Sequence, residues 1–161
     1  MEPQAPVSWE IPARAYDAMA ARAEADYPEE TCGLVFAAGD DLEVVPLRNI
    51  QNDLHRRDPQ RYPRDARTAY EFDEKERQAA TAAREAAGRR LRASYHSHPD
   101  HDAYFSPTDR EAAAPPGWGP IFPGAVYLVL SVRAGKLSRV AGFVWSEERS
   151  DFTELAVRRM P

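Results

Sequence analysis

The sequence has a single cysteine, Cys32, no long apolar run and no excess of basic residues. One cysteine cannot form a disulfide within the chain, so nothing indicates an oxidising compartment, and we expect a cytoplasmic protein. No stretch approaches the roughly 20 apolar residues that cross a bilayer, and the N-terminal MEPQAPVSWE lacks the basic and apolar regions of a targeting signal. A net charge of −5 disfavours a nucleic-acid binder, which normally carries a basic surface. At 161 residues, we expect one domain spanning 1–161.

Three segments have the pattern of helices. Ile11 to about Ala25 carries apolar residues near helical spacing, with Pro12 in the expected first turn. Residues 72–88 contain many helix formers, with Asp73 as a candidate N-cap and Gly88 as the stop. In SPTDREAAA, Ser106 is a candidate N-cap that is followed by a proline at the first helical position.

Short apolar runs predict the strands. Cys32–Ala37 and Leu42–Leu47 form a predicted hairpin, Leu91–Tyr95 a short strand, and AVYLVLSV and SRVAGFVW a second hairpin that we expect at the centre of the sheet. The proline-containing segments 51–66 and 113–124 are predicted to be exposed loops, and no internal repeat is visible. This order predicts an α/β fold of the α+β kind, with one mixed sheet flanked by helices.

The segment SYHSHPDHDAYFSPTD contains three of the four histidines of the chain. In an extended segment residues i and i+2 point to one side, so His96 and His98 can present both imidazoles to one point. Asp109, in the first turn of the following helix, is a candidate third ligand. Two imidazoles and one carboxylate leave the fourth position of Zn²⁺ free for water, as in catalytic zinc sites. The alternative is a pair of strand-end histidines with Asp109 as a helix-cap charge; we favour zinc.

A zinc-activated water needs a base to collect its proton. The candidates are Glu29 and Glu30 in PEETCGLVF, which stand just before a predicted core strand. Their spacing does not choose between them.

Three motifs of the chain together resemble the signature of the JAMM, or MPN+, zinc metalloproteases, which is Glu, then His-x-His-Pro, then Ser-x-x-Asp. The motifs are Glu30 with the following TCGL, His96-Ser97-His98-Pro99, and Ser106 with Asp109. The resemblance implies the MPN fold, whose metal platform is similar to that of cytidine deaminases. It also implies that Glu30 is the general base and acid, that His96, His98 and Asp109 bind one catalytic zinc ion, and that Ser106 stabilises the oxyanion.

Several of these residues have a second interpretation. Ser106 equally fits an N-cap, since Ser-x-x-Asp is also a capping pattern. Cys32 lies in an apolar run, where core packing is favoured over reactivity. His101 and Asp102 are candidates for supporting a metal ligand, although polar turn residues are more often simply solvated.

The resemblance implies a peptidase or isopeptidase acting after the C-terminal Gly-Gly of a ubiquitin-like or sulfur-carrier protein, as small stand-alone bacterial members do. The two long loops are candidate walls for such a tail, with Trp118, Ile121 and Phe122 in the second loop, although these residues equally fit a role in pinning that loop to the core. The basic residues of the first loop are candidates for contacting a carboxylate of the partner, and a solvated loop explains them too: Arg56, Arg57, Arg61 and Arg64. The alternatives are a non-catalytic MPN-type scaffold and another zinc hydrolase on a deaminase-like platform. A deaminase would show a Pro-Cys-x-x-Cys pair, which one cysteine cannot supply. The sequence specifies neither the leaving amine nor the oligomeric state.

Overall fold

The computed structural model describes residues 8–161. The expectation of no N-terminal targeting signal concerns residues that lie mostly outside this range. The strands are β1 (Ser8–Ile11), β2 (Cys32–Ala38), β3 (Asp41–Leu47), β4 (Arg90–Pro99), β5 (Val126–Arg133), β6 (Lys136–Ser146) and β7 (Asp151–Arg159). The helices are α1 (Ala13–Asp26), α2 (Gln51–Arg57), α3 (Glu74–Ala86) and α4 (Pro107–Ala113).

The seven strands form one mixed sheet in the order β1-β7-β6-β5-β4-β2-β3. The pairs β1–β7 and β4–β5 are parallel, and the other pairs are antiparallel. The predicted mixed sheet flanked by helices is therefore confirmed, with β5 in its middle.

Alternating side chains along the strands divide the core between the two faces of the sheet. Leu128 and Leu130 pack with α1 on one face, whereas their neighbours Tyr127 and Val129 pack on the other face with α4. This second face also carries a hydrophobic cluster from β2, β3 and α3, which includes Leu34. This period of two is what a sheet covered on both faces requires.

Both predicted hairpins and the capped helices are confirmed. In α3 the side chain of Asp73 accepts hydrogen bonds from the backbone N–H groups of Lys75 and Glu76. Gly88, with φ of 81°, ends that helical segment in the left-handed region that favours glycine. None of the helices in residues 8–161 is long and apolar enough to span a membrane.

Several predicted boundaries were wrong. Ile11 is not in the first helix but ends β1, where it pairs with Arg159 of β7. Pro12 precedes α1 as its N-cap. The strand predicted to end at Tyr95 continues to Pro99, because pairing with β5 extends through that residue. These errors share one cause, since pairing with a distant strand leaves no mark in local periodicity.

The segment 51–66 was wrongly predicted to be entirely loop, because its first seven residues form α2. Polar composition hid this helix: Gln51 is its buried residue, and the amide of Gln51 donates to the backbone oxygen of Arg64 at 3.0 Å. An acidic residue lies in its first turn and basic residues in its last turn, which suits the helix dipole.

Candidate metal centre and active site

The two histidines of the predicted site lie near the end of β4, between β2 and β5. His96 pairs with Cys32 of β2 and with Val129 of β5. His98 lies two residues further and therefore on the same face of the sheet. Both side chains are buried, at 3% and 8% exposure. Strand geometry thus aims both imidazoles towards α4.

Three ligand-type atoms converge at this point. Nε2 of His96 lies 3.2 Å from Nε2 of His98. Oδ2 of Asp109 lies 3.2 Å from the former nitrogen and 3.1 Å from the latter. The three atoms therefore form a nearly equilateral triangle.

The dimensions of this triangle suit a tetrahedral metal. Bonds of about 2.0–2.1 Å at tetrahedral angles separate neighbouring ligand atoms by about 3.3 Å, close to the observed 3.1–3.2 Å edges. His96, His98 and Asp109 are the group within residues 8–161 whose ligand atoms meet in this way. The donor set of two imidazoles and one carboxylate is one that Zn²⁺ accepts.

The ring of His98 is held in the tautomer that a metal requires. Its Nδ1 lies 2.9 Å from the backbone oxygen of Asp102. A carbonyl oxygen only accepts, so Nδ1 donates the hydrogen of this bond, and in the neutral imidazole Nε2 is then the nitrogen that carries the lone pair. The side chain of Asp102 points elsewhere and pairs with Arg133.

The charge states of the other two residues also suit a cation. Burial lowers the pKa of His96 below its ordinary value, which favours the neutral imidazole, while Asp109 acts in the opposite direction. Burial opposes ionisation of Asp109, but hydrogen bonds and positive charge from the protonated forms of His96 and His98 outweigh it and hold the pKa of that carboxyl below its usual range. A cation bound between the three residues would act on Asp109 in the same direction and leave the imidazoles neutral. Neutral imidazole and ionised carboxylate are the forms that bind metal.

Helix α4 brings Asp109 to the site through a capping box. Oγ of Ser106 accepts from the backbone N–H of Asp109 at 3.0 Å, and Oδ2 of Asp109 accepts from the N–H of Ser106 at 3.2 Å. Capping uses only the acceptor side of the Ser106 hydroxyl, which leaves its hydrogen free to donate. The two interpretations of Ser106 are therefore compatible.

Of the two candidate bases, Glu30 faces the site. Glu30 is 7% exposed and lines the cleft in front of the triad, whereas Glu29 is exposed and accepts from Asn52 at 2.9 Å. Next to Glu30, Thr31 exchanges two hydrogen bonds with Ser97, which stands between the two histidines. This exchange holds Glu30 beside β4.

The environment of Glu30 favours its protonated form in the absence of a cation. Burial and, secondarily, the charge of Asp109 raise the pKa of Glu30 to about 9, while the guanidinium of Arg64 acts in the opposite direction. A carboxyl whose pKa responds to nearby charge in this way is suited to accepting and releasing a proton.

These residues open onto a cleft of about 620 Å³. Its walls come from the segment after α2 and from the loop after α4, and the residues facing it include Glu30, Arg64, Tyr70, His98, Tyr104, Ser106, Asp109, Ile121 and Phe122. His101 also faces the cleft. Trp118 is not among the residues that face the cleft, and 86% of its surface is exposed to solvent. Cys32 is buried, as its apolar run indicated.

Sequence reasoning missed two residues that organise the site. The amide of Asn49 donates to the backbone oxygens of Glu30, at 3.0 Å, and Ala69, at 3.2 Å. Its oxygen accepts from the N–H groups of Gln51 and Glu71 at 3.0 and 3.2 Å. Asn49 therefore joins the candidate base to the cleft wall. The available signal was an asparagine two residues after the end of a predicted strand.

The second missed residue is Tyr70, whose ring stacks on His96 at a centroid distance of 4.5 Å and an interplanar angle of 22°. Tyr70 lies in a stretch without helix or strand between α2 and α3, 26 residues before His96 in the chain. No local pattern predicts such a contact.

The fold and site define a class: a mixed-sheet α/β protein that presents a His-His-Asp group able to hold a metal ion beside a buried glutamate. The family of prokaryotic homologs of the JAB domain matches residues 12–144. The chain belongs to this family. It is 32% identical over 135 residues to a protein named desampylase from Haloferax volcanii, a match that covers 84% of this chain and 81% of that protein.

Solved structures agree on the fold. The solution structure of protein DSY2949 from Desulfitobacterium hafniense matches with a TM-score of 0.65 and 22% identity, over 91% of this chain and 89% of that one. The solution structure of a protein from Salinibacter ruber matches with a TM-score of 0.57 and 30% identity, over 89% of this chain and 86% of that one. The crystal structure of the JAB1/MPN domain protein AF2198 from Archaeoglobus fulgidus matches with a TM-score of 0.52 and 14% identity, over 93% of this chain and 97% of that one. The MPN fold is thus confirmed.

Proposed function

We propose that this protein is a zinc-dependent isopeptidase or peptidase that cleaves the bond after the C-terminal tail of a ubiquitin-like protein. Membership of the JAB family and the desampylase relative make the chain a hydrolase of the metallopeptidase class. The observation that carries the proposal is the triangle formed by His96, His98 and Asp109. The buried Glu30 lines the cleft in front of it.

His96, His98 and Asp109 would hold the zinc ion. When bound, zinc supplies Lewis-acid polarisation of the scissile carbonyl and acidifies the attacking water. Glu30 takes a proton from that water and delivers it to the departing amine, so that water and the amide become a carboxylic acid and an amine. The free hydroxyl hydrogen of Ser106 donates to the oxyanion that develops on the carbonyl.

We infer that the cleft in front of the triad takes up the extended tail of the substrate. The stretch around Tyr70, which forms one wall, is bonded to Asn49 and Ile50. A Gly-Gly tail suits a narrow passage, because glycine adds no side chain. The proposed substrates include a sulfur-carrier protein that ends in such a Gly-Gly tail. The single domain over residues 1–161 and the cytoplasmic location stay predictions.

Two matched substrates test the proposal. One is a ubiquitin-like protein whose C-terminal Gly-Gly is joined by a peptide bond to cysteine; in the other the same tail is joined to a lysine side chain. Zinc-loaded protein should cleave at least one of them after the Gly-Gly, so that intact mass shows the ubiquitin-like protein with a free Gly-Gly end. The variant Glu30→Gln should cleave neither. Failure to cleave both, with zinc bound, would contradict the proposed substrate class.

A further inference from the structure

The two imidazoles of the triad are oriented by different means. At His98, Nδ1 donates to the backbone oxygen of Asp102 at 2.9 Å, and this bond fixes the plane of the ring. Within residues 8–161, the polar contacts of His96 are made by Nε2, towards His98 and Asp109. Among the described residues, Nδ1 of His96 therefore has no counterpart of the hydrogen bond that holds the ring of His98.

Aromatic packing takes that position at His96. The ring of Tyr70 lies nearly parallel to the imidazole, at 22° and 4.5 Å between centroids. An offset or parallel ring at this distance is an attractive contact that rotation about the Cβ–Cγ bond of the histidine would destroy. Cys32 and Val129, the strand neighbours of His96, are both fully buried and restrict the remaining space.

The backbone on both sides of Tyr70 is itself fixed. Asn49 donates to the oxygen of Ala69 and accepts from the N–H of Glu71, and the oxygen of Glu71 accepts from the N–H of Ile50 at 3.0 Å. The Tyr70 ring also meets Phe72 edge to face at 5.5 Å and 69°. The ring of Tyr70 is thus held in a fixed position against the imidazole of His96.

We propose that Tyr70 is a positioning residue that fixes the ring of His96 for metal binding by stacking on it, in place of a hydrogen bond at Nδ1. The inference rests on the proposed metal site. It assigns the positioning of His96 to the aromatic ring of Tyr70. A phenylalanine at this position should therefore keep the metal affinity, whereas a leucine should not.

Tyr104 provides a matched control. Its ring contacts the other imidazole, His98, at 5.4 Å and 66°, but His98 already has its hydrogen bond to Asp102. Tyr104 is 52% exposed. The variant Tyr104→Leu should therefore leave metal affinity close to that of the wild type.

The experiment measures Zn²⁺ and Co²⁺ affinity of the full chain at one fixed pH, together with the visible spectrum of the Co²⁺ form and thermal unfolding of each variant. Loss of a group that orients a ligand typically weakens metal binding about 10–100-fold. We expect a loss of that size and an altered Co²⁺ spectrum in Tyr70→Leu. Tyr70→Phe and Tyr104→Leu should match the wild type.

A folded Tyr70→Leu variant with wild-type affinity and spectrum would overturn the inference. So would a Tyr70→Phe variant as weak as Tyr70→Leu, because the hydroxyl would then be the active group. The NMR shifts of the His96 ring protons in metal-free protein provide a separate test. Stacking predicts ring-current shifts that disappear in Tyr70→Leu and persist in Tyr70→Phe. If the wild type bound neither ion, the proposed metal site and the role of Tyr70 in metal binding would both fail, whereas the shifts would still decide whether Tyr70 stacks on the ring of His96.

Discussion

Replacing Asn49 by aspartate should both destabilise the protein and slow its reaction. The side-chain amide of Asn49 donates to the backbone oxygens of Glu30 and Ala69. Aspartate keeps the accepting oxygen but turns a carboxylate oxygen towards these two carbonyls, so two hydrogen bonds become two repulsive contacts. The substitution changes almost no volume, which isolates the hydrogen bonds.

The magnitude follows from those two bonds. Each lost hydrogen bond costs about 1 kcal/mol, and a carbonyl left without a partner in a partly buried place adds to this. A total of about 2–4 kcal/mol corresponds to a fall in Tm of about 4–16 °C for a chain of this size. Glu30 would keep its N–H bond to Ala66, at 2.7 Å, but lose the bond at its oxygen. Displacement of a reacting group by about 1 Å can cost about 100-fold in rate.

The assay combines thermal unfolding with turnover of zinc-loaded protein on the cleaved substrate. Asn52→Asp is the matched control, because the Asn52 oxygen still accepts from Ala66 and its lost donor bond goes only to the exposed Glu29. We expect this control to lose less than about 1 kcal/mol. Asn49→Asp with the Tm and turnover of the wild type would refute the role given to Asn49.

Ser106→Gly should separate capping from catalysis. Glycine is nearly as good an N-cap, costing a few tenths of a kcal/mol, whereas loss of an oxyanion donor costs about 10²–10³ in kcat; an unchanged kcat would leave Ser106 a cap only. Gly33→Ala should destabilise the protein by about 1–3 kcal/mol in denaturant unfolding, because a Cβ there would lie 2.6 Å from Cε1 of the buried Tyr95; unchanged stability would contradict this packing. Arg64→Ala should lower kcat/KM about fivefold more for a leaving amino acid that carries a free carboxylate than for a lysine conjugate, since Arg64 faces the cleft near Glu30; equal losses would exclude that contact.

The parts of the site that could be predicted from sequence are those built by local geometry. His96 and His98 share a face because strand side chains alternate, and Asp109 reaches them because it is the third residue of a capped helix. The position of Glu30 depends on pairing between β2 and β4, and only resemblance to a family distinguished it from Glu29 in the sequence.

The parts that could not be predicted depend on contacts between distant segments. Tyr70 and Asn49 act through residues far away in the chain, and neither belongs to a periodic pattern. The edge strand β1 pairs with β7 at the opposite end of the sequence, so its four residues carry no sufficient signal of their own. Helix α2 was hidden by its polar composition, because its stability comes from Gln51 and the surrounding loop rather than from an apolar face.

The measurement that tests the central claim most directly is single-turnover cleavage of a ubiquitin-like Gly-Gly conjugate by wild type and Glu30→Gln, with bound zinc determined in both. The proposed mechanism predicts one zinc ion in each protein and a rate about 10²–10⁴-fold lower in the variant. It also predicts that chelation abolishes wild-type cleavage and that added Zn²⁺ restores it. Cleavage by Glu30→Gln at the wild-type rate, or by rigorously metal-free wild type, would contradict the proposed mechanism.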